Sequence, residues 1–106
     1  MQILVVEDSP SDVEIVRRLL TAQPESGFDM TPVSSRAEAV TVMSDSEFDV
    51  VLLDLNLPDF SGLDTLAEFV DGAPDQPIVV VSGRNDENLA VKAAKHGAAD
   101  FFQKMN

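Results

Sequence analysis

The side chains of this sequence best suited to chemistry are Glu7, Asp8, Asp54, Ser82 and Lys104. Each stands at the end of a short, mainly apolar run. Residues 3–6 lead into Glu7-Asp8, 50–53 into Asp54, 78–81 into Ser82, and the short strand 101–103, Phe-Phe-Gln, into Lys104. Apolar runs this short read as strands buried on both faces, as in a parallel sheet. Such a strand must end where a carboxylate begins, because an unpaired charge is costly inside a core. The polar residues therefore stand at strand exits, the edge of an open α/β sheet where ligands bind. Aligned, the exits bring three acids, a hydroxyl and a lysine to one edge. Crowded carboxylates repel one another, and a divalent cation relieves the repulsion. Mg²⁺ takes oxygen ligands and keeps positions open for water or phosphate. A carboxylate beside it can attack phosphorus. Lysine and a hydroxyl can hold the transferred phosphoryl oxygens. The set suits a phosphorylatable aspartate.

Taken singly, each residue has an ordinary reading. Asp54 could open a turn built on Asn56, Leu57 and Pro58. Glu7 and Asp8 could flank a helix start. Ser82-Gly83 is common strand-to-loop chemistry, and Lys104 could be a solvated strand end. The shared edge favours the joint reading. His96 is a candidate phosphohistidine, but Lys92, Lys95 and His96 close a helix that Gly97 caps. A cation there complements the helix dipole, and that role is preferred.

The elements that must position these residues follow in order. Ser9 reads as an N-cap with Pro10 first in the helix. Val13, Val16, Leu19 and Leu20 form its apolar stripe, and residues 24–27 close it. Residues 28–33 form a weaker strand that Pro32 assigns to an edge. Ser35 and Glu38 carry a capping-box signature for a short helix reaching Met43. After the strand that ends at Asp54, residues 55–61 form a loop. Residues 62–70 are helical, with Leu63, Leu66, Phe69 and Val70 inward. Asn85 starts the next helix. The pattern is βα repeated four times plus one strand, hence a parallel sheet with right-handed crossovers.

The chain has 106 residues, enough for one small domain, and 44% of them are hydrophobic. The net charge of −12 argues against direct nucleic-acid binding and suits a cation or a basic partner. Cysteine is absent, which excludes disulfides and thiolate metal sites. No apolar run approaches the ~20 residues of a membrane span. The opening MQILVVEDS lacks the pattern of a signal peptide. A cytoplasmic protein with no membrane contact is expected.

The stretches LVVEDS, VVLLDLNLPDFSGL, PIVVVSG and AVKAAKHGAADFFQK resemble the response regulator receiver domain of two-component signalling, along essentially the whole chain. The resemblance implies a flavodoxin-like, doubly wound α/β fold with a five-stranded parallel sheet in order 2-1-3-4-5. It implies that Asp54 is the phosphoacceptor and that Glu7 and Asp8 hold Mg²⁺, with the backbone carbonyl of Asn56 completing the site. Ser82 and Lys104 would bind the phosphoryl group, and Phe101 matches the aromatic switch position. The implied partners are a sensor histidine kinase or a histidine phosphotransfer protein, and an output domain in cis or a partner in trans.

The sequence departs from the family pattern in two ways. Met105 stands where the family usually has proline, so a cis bond after Lys104 is not expected. Lysine without proline resembles receivers fused in front of signalling modules such as kinases or cyclic-nucleotide enzymes. The sequence also stops at Asn106, before the family's usual fifth helix. One face of the sheet is then expected to be partly bare. Either the native chain continues into a helix that docks there, or the 106-residue chain dimerises or exchanges elements. Three alternatives remain open: a scaffold that works without phosphorylation, a phosphotransferase of the haloacid dehalogenase type, and a flavin or dinucleotide carrier. The second usually has D-x-D after its first strand, whereas Asp54-Leu55-Asn56 follows the third. The third is opposed by an acidic, glycine-free first turn.

Overall fold

The computed structural model describes residues 1–22, 27–55, 57, 62–73, 75–82 and 87–103, except the side chains of 62–65, 82, 87–90 and 103. In chain order the elements are β1 (Gln2–Val6), α1 (Pro10–Thr21), β2 (Asp29–Val33), α2 (Arg36–Asp45), β3 (Val50–Asp54), α3 (Gly62–Asp71), β4 (Ile78–Ser82), α4 (Glu87–Lys95) and β5 (Asp100–Gln103). The strands form one parallel sheet, ordered β2-β1-β3-β4-β5. This is the flavodoxin-like arrangement. Four helices accompany the five strands among the described residues, so the expected fold holds without a fifth helix. The expected start of α4 at Asn85 lies outside the described residues.

Strand pleating decides which side chains meet which helices, since neighbours point to opposite faces. Leu4, Val6, Val51, Leu53, Ile78 and Val80 join Ala39 of α2, Leu66 and Phe69 of α3 and Ala93 of α4 in the buried core. With right-handed crossovers, that is the face carrying α2, α3 and α4. The alternate residues Ile3, Val5, Val50, Leu52, Val79 and Val81 face α1. Of these, only Ile3 and Val5 are buried, while the other four are half-buried. The run 50–53 is therefore sealed on one face only, contrary to the expectation of burial on both. The α1 stripe is partly covered: no residue of α1 is buried, Val13, Val16 and Leu20 are half-buried, and Leu19 is 69% exposed.

Local chemistry sets the helix ends. The Asp12 amide donates to Ser9 Oγ over 3.5 Å, and Pro10 opens α1. The Glu38 amide donates to Ser35 Oγ over 3.1 Å. The Glu38 carboxylate does not close the expected box. It accepts a hydrogen bond from the Ser34 hydroxyl at 2.8 Å instead. Gly97 ends α4 with φ of +101°, a conformation that disfavours side chains, and a Cβ there would lie 2.7 Å from Val70 Cγ1 of α3. The His96 ring turns back to its own helix, with Nδ1 2.7 Å from the Lys92 carbonyl. That is the geometry of a helix end, as preferred above.

Candidate functional site

β1 and β3 are parallel neighbours, with Val6 opposite Leu53. One residue further along each strand stand Glu7 and Asp54. The register thus brings two acids side by side at the sheet's exit edge. The apolar strands beneath them are buried, and the acids inherit that burial: Glu7 is 6% exposed and Asp54 4%. Asp8 is exposed. One carboxylate oxygen from each of Glu7, Asp8 and Asp54 can be chosen so that all three lie within 4.8 Å of one another.

The backbone fixes this arrangement. The Glu7 amide donates to the Val33 carbonyl at the end of β2 over 2.9 Å. Its carboxylate accepts from the Ser9 amide at 3.0 Å. The start of α1 is thereby tied to the acid that precedes it. Among the described residues, no buried side-chain nitrogen or oxygen lacks a hydrogen-bond partner. Three carboxylates so close carry a charge density that a hard, oxygen-seeking dication matches, and the donor set contains no soft ligand. The residues present fit Mg²⁺ or Ca²⁺.

The remaining expected site residues divide. Ser82 ends β4 with its backbone one step beyond Val81, which pairs with Asp54; its side chain lies outside the described residues. Asn56, Lys104 and Met105 also lie outside them. Phe101 pairs with Val80 and is half-buried against the core, whereas Phe102 points away and is 57% exposed. Two positioning residues escaped the sequence reading. Leu55 and Leu57, assigned there to a loop, are buried in the core. They anchor the chain immediately after Asp54. The alternation Asp-Leu-Asn-Leu was the available signal, since it places apolar side chains on one side and polar ones on the other.

Residues 3–106 match the model of the response regulator receiver domain. The chain belongs to that family. It is 32% identical over 106 residues to a rice (Oryza sativa) two-component response regulator, ORR21, covering 98% of this chain and 15% of that protein. It is 31% identical over 104 residues to the cell cycle transcriptional regulator CtrA of Caulobacter vibrioides, covering 98% of this chain and 44% of that protein. The receiver thus spans less than half the length of these curated relatives. A response regulator from Burkholderia pseudomallei, solved with a phosphorylated aspartic acid, a calcium ion and citrate, superposes with a TM-score of 0.80 at 28% identity, over 99% of this chain and 60% of that one. The beryllofluoride-activated NtrC4 receiver domain, solved as a dimer, gives a TM-score of 0.82 at 30% identity, over 99% and 84%. Receiver domains are regulatory modules rather than enzymes in the ordinary sense. The haloacid-dehalogenase and flavin-carrier alternatives find no counterpart in this family match. No helix among the described residues is long and apolar enough to cross a membrane.

Proposed function

We propose that this receiver is a phosphorylation switch in which Asp54 takes a phosphoryl group from a phosphohistidine of a sensor kinase or phosphotransfer protein, in the cytoplasm and with Mg²⁺. The observation that carries this reading is the approach of Glu7, Asp8 and Asp54 to within 4.8 Å at the strand exits. An Asp54 carboxylate oxygen attacks phosphorus. A P–O bond forms, the P–N bond to the histidine breaks, and the imidazole leaves with its electron pair and picks up a proton. Mg²⁺, when bound, neutralises charge on the carboxylates and on the phosphoryl oxygens.

Glu7 and Asp8 hold that ion, with the carbonyl of Asn56 in the same role. Burial of Asp54 among apolar strands limits water at the reacting oxygen. Lys104 and the Ser82 hydroxyl take the new phosphoryl oxygens. Phosphorylation adds about −1.5 to −2 charges. Ser82 moving toward them leaves room for Phe101 to turn inward, which changes the surface offered to an output domain or a separate partner. Attack of water on phosphorus breaks the bond to the Asp54 oxygen, releases inorganic phosphate and returns Asp54 to a carboxylate, which resets the switch. A homodimer is one form such an output could take.

Acetyl phosphate with Mg²⁺ should add one phosphoryl group, seen by intact-mass spectrometry, and Asp54→Asn should abolish it. No adduct on the wild type, or an equal adduct on the variant, overturns the assignment and favours a scaffold that works without phosphorylation.

A further inference from the structure

At the end of the sheet opposite Asp54, the C-terminal halves of α2 and α3 leave a groove of about 670 Å³ between them. Its floor is apolar. Phe69 is buried, Met43 and Phe48 are packed against the core on one side, and Val40 is 53% exposed. Two contacts hold its walls. Arg36 of α2 bridges to Glu68 of α3 at 3.3 Å, and Gln76 Nε2 donates to the Phe48 carbonyl at 2.8 Å.

The rim is acidic. Arg36 is engaged by Glu68, while Glu47 and Asp75 make no ion pair among the described residues. The helices add to this. α1 has Arg18 and α4 has Lys92 and Lys95 in the last turn, but α2 and α3 have no basic residue there. The negative dipole ends of both helices therefore reach the groove without a neighbouring cation on their own elements. An apolar floor beneath a negative rim complements an amphipathic helix with cationic flanks. A second copy of this chain, with a net charge of −12, would meet repulsion instead.

We propose that the groove between α2 and α3 docks a basic amphipathic helix of a partner protein. Its apolar side chains would rest on Val40, Met43, Phe48 and Phe69, and its lysines or arginines would face Glu47 and Asp75. Helix-in-groove recognition reads apolar anchors at i, i+3, i+4 and i+7, and methionine adapts to varied anchors. The surface lies away from the phosphoacceptor, so docking does not depend on the phosphorylation reading.

The probe is a leucine–lysine peptide of about 18 residues with its leucines on one helical stripe, beside an isomer of identical composition without the stripe. Fluorescence anisotropy at about 0.15 M salt measures affinity, and amide NMR shifts of the labelled receiver locate the site. The striped peptide should bind at least about tenfold more tightly than the isomer, with shifts concentrated around residues 40–48 and 68–76. Val40→Asp and the pair Glu47→Lys, Asp75→Lys should each weaken it at least about tenfold. Ile15→Asp, on the exposed surface of α1, should not. Val40→Asp should still take phosphoryl from acetyl phosphate like the wild type, which separates this proposal from the preceding one. Equal binding of the two peptides, shifts spread over the whole acidic surface or gathered around Ile15 and Phe102, or concentration-dependent self-association at these residues would each overturn it.

Discussion

Asp54→Asn should stabilise the metal-free receiver while abolishing its phosphorylation. Glu7 and Asp54 are both almost completely buried, and their carboxylates lie within 4.8 Å of each other. Two unit charges at that distance repel by about 3.5 kcal/mol at an effective dielectric of ~20. Asparagine keeps the shape and removes one charge. Replacing an ionised acceptor by a neutral one gives back about 1–2 kcal/mol of hydrogen bonding. A net gain of about 1.5–2.5 kcal/mol remains, which for a domain of this size raises the melting temperature by about 4–8 °C per kcal/mol. Mg²⁺ should reverse the ranking. At a hundred times its dissociation constant a ligand adds about 2.7 kcal/mol to the fold, more than that gain, and the variant lacks one of the charges that hold it. The assay is thermal melting of both proteins in EDTA and in a Mg²⁺ series at constant ionic strength. An Asp54→Asn protein that melts at or below the wild type in EDTA, with the same Mg²⁺ response, would refute the view that carboxylate repulsion is stored at this edge.

The other expectations concern the metal, the switch and the packing beneath it. Asp8→Ala should weaken Mg²⁺ binding, measured by titration calorimetry, and slow phosphorylation by acetyl phosphate in proportion; unchanged affinity would remove Asp8 from the ligand set. Ser82→Ala should accept phosphate but lose the NMR shifts around Phe101 that accompany it in the wild type, and their full persistence would show that the hydroxyl does not couple the two. Gly97→Ala should cost about 2–4 kcal/mol, from the positive φ and from a Cβ placed 2.7 Å from Val70 Cγ1. A melting temperature within a degree or two of the wild type would show that α3 and α4 yield easily there.

The strand exits and the acid cluster were legible because one physical rule governs both, whereas the strand order came from the family resemblance. A parallel strand buried in a small α/β domain must be apolar until it leaves the core, so its first charged residue marks the exit edge. Val6 opposite Leu53 then carries Glu7 to Asp54 without further information. What was not legible depends on packing at a distance. Nothing in 50–53 distinguishes Val51 and Leu53, sealed by helices, from Val50 and Leu52, which are half-buried. The helical spacing of Leu19 suited an inward stripe, yet α1 alone leaves it in solvent. Glu38 had the spacing for a capping box, but the hydroxyl of Ser34 lies nearer its carboxylate.

The two faces of the sheet divide the labour of the domain. On the face of α2, α3 and α4, the side chains of β1, β3 and β4 are fully enclosed. That enclosure makes the exit edge stiff enough to hold Glu7 and Asp54 against their mutual repulsion, since close-packed interiors transmit strain rather than absorb it. Phe101 belongs to this face through its register with Val80, so in the proposed switch a displacement at Ser82, two residues along β4 from Val80, would reach it through packed neighbours rather than through solvent. The α1 face is the softer one, with Leu52, Val79 and Val81 half-buried and Phe102 exposed. Apolar surface of that kind gains stability when covered. Any partner element that covers it acts on β3 and β4 from behind, the same two strands whose exits carry Asp54 and Ser82. If Asp54 is phosphorylated as proposed, occupation of the α1 face and phosphorylation at the exit edge share structural elements, and a partner that binds one phosphorylation state better shifts the phosphorylation balance in return.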